Sequence, residues 1–144
     1  MKIRSMNQND FDQVYDIWKQ LPLDIAEYEQ EKRLTLSCIK HNPTTCLVGE
    51  VDGQIIGAVL GTFDGMRGWF NHLGIHPDYQ GKGYGKALFK ATEKALIKRG
   101  ALKLDLFVEK TNNEMTTFYK EEGYEIYDEA VLVWKNIKSL DTQS

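Results

Sequence analysis

The chain lacks several things that would decide its class at once. No apolar run approaches the ~20 residues that a membrane-spanning helix needs, so no membrane partner is expected. Basic residues are not massed anywhere. The 18 Lys and Arg stand against 21 Asp and Glu, and the net charge is −3. A nucleic-acid partner is therefore not expected. Cysteine is scarce, with only Cys38 and Cys46. One falls in an expected helix and the other in an expected strand, so both read as small buried apolar groups rather than a disulfide. The histidines are His41, His72 and His76, and the last two sit four apart on an expected strand and its exit, without cysteine or carboxylate company. No structural metal is expected. The N-terminal Met1-Lys2-Ile3-Arg4-Ser5 reads as a strand without a signal-peptide h-region, which points to a cytoplasmic protein. Repeats, linkers and low-complexity tracts are missing as well.

What is present is ordinary globular composition, 42% hydrophobic and 27% charged over 144 residues. That length supports one domain with a real core, expected over 1–138, followed by a polar tail at 139–144. Strands are expected at 2–6, 45–51, 54–62, 69–75 and 102–108, with one or two more over Tyr124–Trp134. Asn9 is a candidate cap for a helix over 10–20, with Phe11, Val14, Tyr15 and Trp18 on one face. A second helix opens at Glu27–Lys32 and carries Leu34, Leu36, Cys38 and Ile39 inward. Asp52-Gly53 marks a hairpin turn. A third helix over 83–99 has Tyr84, Ala87, Leu88, Ala91 and Ala95 as its inward stripe. A short one runs from Asn112 to Gly123. The order predicts an α/β fold with a mixed, partly antiparallel sheet and about four helices. The helix-linked strands should run parallel.

The most informative stretch is His76-Pro77-Asp78-Tyr79-Gln80-Gly81-Lys82-Gly83-Tyr84-Gly85-Lys86-Ala87-Leu88. It follows an apolar strand and opens a helix. Backbone N–H groups converge at a helix start, and the helix dipole favours negative charge there. Glycine lets the backbone come close to a ligand, and Lys82 and Lys86 add positive charge. Two nucleotide templates fail on named residues. A dinucleotide fingerprint needs glycine where Lys86 stands. A P-loop needs Ser or Thr where Ala87 stands and glycine where Gln80 stands. What remains is Gln80-x-x-Gly83-x-Gly85.

A second segment, Asn112-Asn113-Glu114-Met115-Thr116-Thr117-Phe118-Tyr119-Lys120-Glu121-Glu122-Gly123-Tyr124, puts Asn112, Met115, Thr116 and Tyr119 on one helix face. Alone it reads as a capped helix with an aromatic core contact. Together, the two segments resemble the two signatures of the GNAT N-acetyltransferase superfamily: the coenzyme A loop, then an asparagine followed seven residues later by a tyrosine. The resemblance covers nearly the whole chain. It is closest to small single-domain bacterial members, including those similar to ribosomal-protein N-terminal alanine acetyltransferases.

The resemblance implies a cleft for acetyl-CoA where the strands 69–75 and 102–108 splay apart. Leu73, Gly74 and Ile75 would line it, with the backbone of Leu73 and Ile75 pairing with the pantetheine arm. Gln80, Gly81, Lys82, Gly83, Tyr84, Gly85 and Lys86 would hold the pyrophosphate. Asn112 would contact the pantetheine arm, and Tyr119 would act as general acid toward the leaving thiolate. A backbone N–H near Leu73 would stabilise the oxyanion. The implied reaction is direct attack of a primary amine on acetyl-CoA in a ternary complex. Its acceptor would be a small amine, an amino acid or a protein N-terminus, and a homodimer is compatible with it. The base is open. Phe107 and Trp69 stand where relatives carry an acid, which leaves His72, Glu109, Asp64 or a water chain. Asp24, Glu27, Asp64 and Arg67 are candidates for acceptor recognition. A non-catalytic CoA-binding regulatory module is the second reading.

Overall fold

The computed structural model describes residues 1–137. The polar tail expected at 139–144 lies outside them. The chain divides into two compact units, residues 1–107 and residues from 108 onward.

The first unit holds a five-stranded sheet: β1 (Lys2–Ser5), β2 (Cys46–Val51), β3 (Gln54–Phe63), β4 (Arg67–Ile75) and β5 (Lys103–Leu106). Spatial order follows chain order. The first four strands are antiparallel neighbours, and β5 joins β4 in parallel. Three helices accompany them: α1 (Phe11–Lys19), α2 (Tyr28–His41) and α3 (Tyr84–Arg99). This is the mixed sheet that the sequence predicts. The β2–β3 turn takes positive φ at both Asp52 (51°) and Gly53 (78°), the backbone that a two-residue hairpin needs to match strand twist.

Strand alternation builds a core on each face of the sheet. On one, Phe11, Val14, Ile17 and Trp18 of α1 pack with Met6, Cys46, Val48, Ala58 and Leu60. On the other, Phe89 of α3 stacks on Phe70 of β4, with ring centroids 4.8 Å apart. Each such fully buried side chain contributes about 1.5–3 kcal/mol. An exposed pair such as Lys19–Asp16 contributes under ~1 kcal/mol. Apolar packing therefore holds the layers together. At the far end, Asn42 fastens three elements: its Oδ1 accepts from Phe63 N (3.0 Å) and Arg99 Nη1 (2.7 Å), and its Nδ2 donates to Cys38 O (3.1 Å).

Three local expectations are corrected in this unit. The first cap is Asn7, not Asn9: its side chain accepts from Asn9 N and, with Asp10, closes a capping box before α1. On α2, Leu34 faces out (55% exposed), while Glu31 and Thr35 are buried. The α3 stripe is rotated: Leu88, Phe89, Thr92 and Leu96 are buried and Ala87 is exposed. Alanines bury little area, so the large Phe89 and Leu96 decide which face turns inward.

The second unit contains α4 (Asn113–Glu121), capped by Asn112 as expected. Residues 124–137 form no strand, where one or two were expected over Tyr124–Trp134. The β-propensity of Val131–Trp134 measures fit to a pleated neighbour, not a backbone preference of its own.

Candidate functional site

The site grows out of a mismatch in strand length. β4 and β5 pair only through Arg67–Lys103, Gly68–Leu104, Trp69–Asp105 and Phe70–Leu106. There β5 stops, while β4 runs on to Ile75. From Asn71 to Ile75 the β5 side of β4 is an edge with no strand beside it among the described residues. Such an edge offers backbone N–H and C=O groups to an extended ligand. Leu73, Gly74 and Ile75 all lie on it.

A bulge interrupts this edge. Ala58 faces Gly74, but Leu60 faces Asn71, so Val59 opposes both His72 and Leu73. His72 takes φ 53°, a left-handed backbone uncommon for a side chain with a Cβ. Its ring leaves the face that Phe70 occupies. It meets Trp18 of α1 edge-on, centroids 5.0 Å apart, and its Nε2 lies 3.4 Å from Glu31 Oε1 of α2.

The glycine loop begins where β4 ends. His76 N donates to Ile56 O (2.7 Å), and a 3-10 turn at Pro77–Tyr79 leads to Gln80. The Gln80 side chain donates to Ile75 O (2.9 Å). Gln80 therefore ties the loop to the strand end, an occupation that the sequence does not show. Gly81 (φ 78°) and Gly83 (φ 84°) are left-handed, and no atom lies within 4 Å of where their Cβ atoms would be. Gly83 caps α3 without a side-chain hydrogen bond, and the first intrahelical bond is Ala87 N to Gly83 O (3.1 Å). The amides of Tyr84, Gly85 and Lys86 precede it, at the positive end of the helix dipole. No acidic residue stands in that first turn. An open, left-handed glycine pair leading into an uncapped helix start fits a pyrophosphate. Lys82 Nζ rests over the Tyr79 ring at 5.5 Å.

Asn112 and Tyr119 lie in the second unit. Asn112 Oδ1 accepts from Met115 N (3.2 Å) to cap α4. Tyr119 is buried (4% exposed) among the rings of Phe118 and Tyr124. Burial pushes its hydroxyl up to about 12, so it keeps its proton at neutral pH.

Two acceptor candidates are engaged elsewhere. Asp64 Oδ1 accepts from Arg67 N (2.7 Å) and Met66 N (2.9 Å), which holds its carboxyl below the usual range and closes the β3–β4 turn. Arg67 Nη1 donates to Asp105 Oδ2 (2.8 Å) across the β4–β5 pair. The residue that the sequence reading missed is Glu31, buried to 2% exposure. Its available signal was its place four residues before Thr35 and seven before Cys38, on the inward helix face. Burial pushes its carboxyl up, but the His72 hydrogen bond and the Ala26 amide (3.1 Å) outweigh that and hold it low. Among the described residues no group of three or more His, Cys, Asp or Glu side chains is placed to hold a metal.

Comparison with known proteins gives one answer at three levels. The family model described as "Acetyltransferase (GNAT) family" matches residues 8–124. An acetyltransferase of Sodalis glossinidius is 36% identical over 141 residues, covering 95% of this chain and 96% of that one. Among solved structures, the ribosomal-protein-S18-alanine N-acetyltransferase of Escherichia coli superposes with a TM-score of 0.74 at 20% identity, covering 85% of this chain and 76% of that one. PaiA N-acetyltransferase of Thermoplasma acidophilum, in complex with coenzyme A, gives 0.73 at 23%, covering 90% and 92%. At these identities the two structures share a fold with this chain.

Proposed function

The chain belongs to the GNAT acetyltransferase family, and we propose that it transfers the acetyl group of acetyl-CoA to a primary amine by direct attack. The acceptor class is a small amine, an amino acid or a protein N-terminus. One observation carries the reading. The β4 edge beyond Leu106 leads straight into a loop whose Gly81 and Gly83 backbones are left-handed and open. Acetyl-CoA supplies the activated thioester.

The chain's own groups do the rest. The backbone of Leu73 and Ile75 pairs with the pantetheine arm as an added strand would. The amides from Gly81 to Lys86 hold the pyrophosphate, and the Lys82 and Lys86 charges assist. Asn112 contacts the same arm. A Leu73 N–H supports the developing oxyanion. Tyr119, kept protonated by burial, gives its proton to the departing thiolate. Neither cysteine lies in this machinery, so no acyl-cysteine is needed.

Calorimetry tests the co-substrate. Acetyl-CoA is expected to bind, and ATP and NAD to give no specific heat. Tight ATP or NAD binding without acetyl-CoA binding would overturn the reading.

A further inference from the structure

The bulge in β4 has a second effect besides ending the regular ladder. Phe70 points to the α3 face, where its ring stacks on Phe89. Regular alternation would send His72, two residues on, to the same face. The left-handed turn at His72 (φ 53°) inserts one residue and sends its ring to the α1–α2 face instead. A non-glycine residue is seldom held in this region, and such strain gathers at functional sites. Glu31 is nearly fully buried, at 2% exposure. An unpaired carboxylate there would be costly, yet it stands 3.4 Å from His72 Nε2 and accepts from Ala26 N. The His72 side chain itself is 25% exposed. One end of the ring therefore meets a buried carboxylate while part of the side chain reaches solvent.

We propose that His72 is the general base for the acceptor amine and that Glu31 is its positioning residue. This rests on the acetyl-transfer reading above. Nε2 lies at the Glu31 end of the ring, and the neutral tautomer protonated on Nε2 carries its lone pair on Nδ1. His72 directly precedes Leu73 in β4, the residue whose N–H the acetyl-transfer reading assigns to the oxyanion. The amine nitrogen attacks the thioester carbon, and an N–C bond forms. The proton on that nitrogen passes to His72 Nδ1. The C–S bond breaks, and CoA leaves as the thiolate, which takes its proton from Tyr119. His72 returns its proton to bulk water, and Tyr119 regains one from there. Glu31 stabilises the imidazolium between these steps. Among the described partners of the ring, α2 presents the charge of Glu31 and α1 presents the uncharged Trp18.

The test uses His72→Asn and Glu31→Gln in the full chain. Asparagine tolerates the left-handed region, so the bulge survives while the base is lost. His72→Asn is expected to lower kcat by about 10²–10⁴-fold, to leave acetyl-CoA affinity within about two-fold of wild type, and to remove the acidic limb of the kcat/KM–pH profile. Glu31→Gln is expected to move that limb to lower pH, because the imidazolium loses its partner, and to lower kcat about ten-fold. A carboxylate that only held α2 in place would change the melting temperature and leave the limb where it is. Near-wild-type kcat in His72→Asn with acetyl-CoA still bound would overturn the proposal alone. An unmoved limb in Glu31→Gln would overturn the positioning role. A wild-type chain that binds no acetyl-CoA would overturn the acetyl-transfer reading and this proposal with it.

Discussion

Gly83 and Gly85 are two residues apart, yet alanine at each should have opposite effects. Gly83 caps α3 at φ 84°, ψ 3°. Its Cβ position is open to beyond 4 Å, so alanine there meets no steric clash. The cost is the left-handed backbone alone, about 1–2 kcal/mol. Gly85 lies in the first turn of α3, without positive φ. A Cβ there would sit 3.6 Å from Ile75 Cγ1, an ordinary contact. Alanine gains helix propensity, up to ~1 kcal/mol. At about 4 °C per kcal/mol for a chain of this size, Gly83→Ala should lower Tm by roughly 4–8 °C. Gly85→Ala should hold Tm or raise it by up to ~4 °C. Scanning calorimetry without ligand reads both. A second scan in acetyl-CoA at about 100 times Kd should add about 2.7 kcal/mol to wild type, and Gly83→Val should lose that gain. Equal stability of Gly83→Ala and wild type would refute the left-handed cap. A folded Gly83→Val with the full ligand shift would remove this loop from the phosphate site.

Two further outcomes are expected. Tyr119→Phe keeps the buried ring and removes the proton, so kcat should fall by ~10²–10⁴-fold while acetyl-CoA affinity stays near wild type. Steady-state kinetics with a parallel binding measurement checks this, and near-wild-type kcat would reject the acid role. Burial pushes the Asp10 carboxyl up from its ordinary 3.8, but Arg4, donating at 2.8 and 2.9 Å, and the Asn7 amide outweigh that and hold it lower. Its folded value is depressed, so its stabilisation is full above pH ~4 and is lost as pH falls through the folded value. Asp10→Asn should cost about 1–3 kcal/mol at neutral pH and converge with wild type in acid. Urea titrations at neutral and acidic pH measure the gap, and a gap that does not narrow would contradict the pairing.

The parts that sequence made legible are those where one residue type meets one backbone demand. Asp52-Gly53 announced a hairpin because few residues accept positive φ. Gly81 and Gly83 announced an open loop for the same reason. The early end of β5 at Leu106 left no mark, because the apolar alternation of Leu102 to Val108 runs on past it. The bulge at His72 left no mark, because Trp69 to Ile75 reads as one continuous strand and a bulge adds a residue without changing composition. Glu31 was hidden by its charge: polar residues at a helix start usually face water, and its burial depends on His72 arriving from another element. The α3 face was misjudged because five small or mixed side chains were counted equally. Phe89 outweighs the alanines once Phe70 is there to receive it. Val131 to Trp134 carry strand chemistry without forming a strand, since propensity acts through a neighbour that the sequence does not name.

Amine-dependent release of the CoA thiol tests the central claim most directly. The purified chain is incubated with acetyl-CoA and a panel of free amino acids, polyamines and short peptides with free N-termini. Thiol release is followed with a chromogenic reagent, and the products by mass spectrometry. The account predicts release well above the amine-free rate for at least one acceptor class, matched one to one by acetylated amine. Tight acetyl-CoA binding with no amine-dependent release across the panel would contradict it and favour a CoA-binding regulatory module.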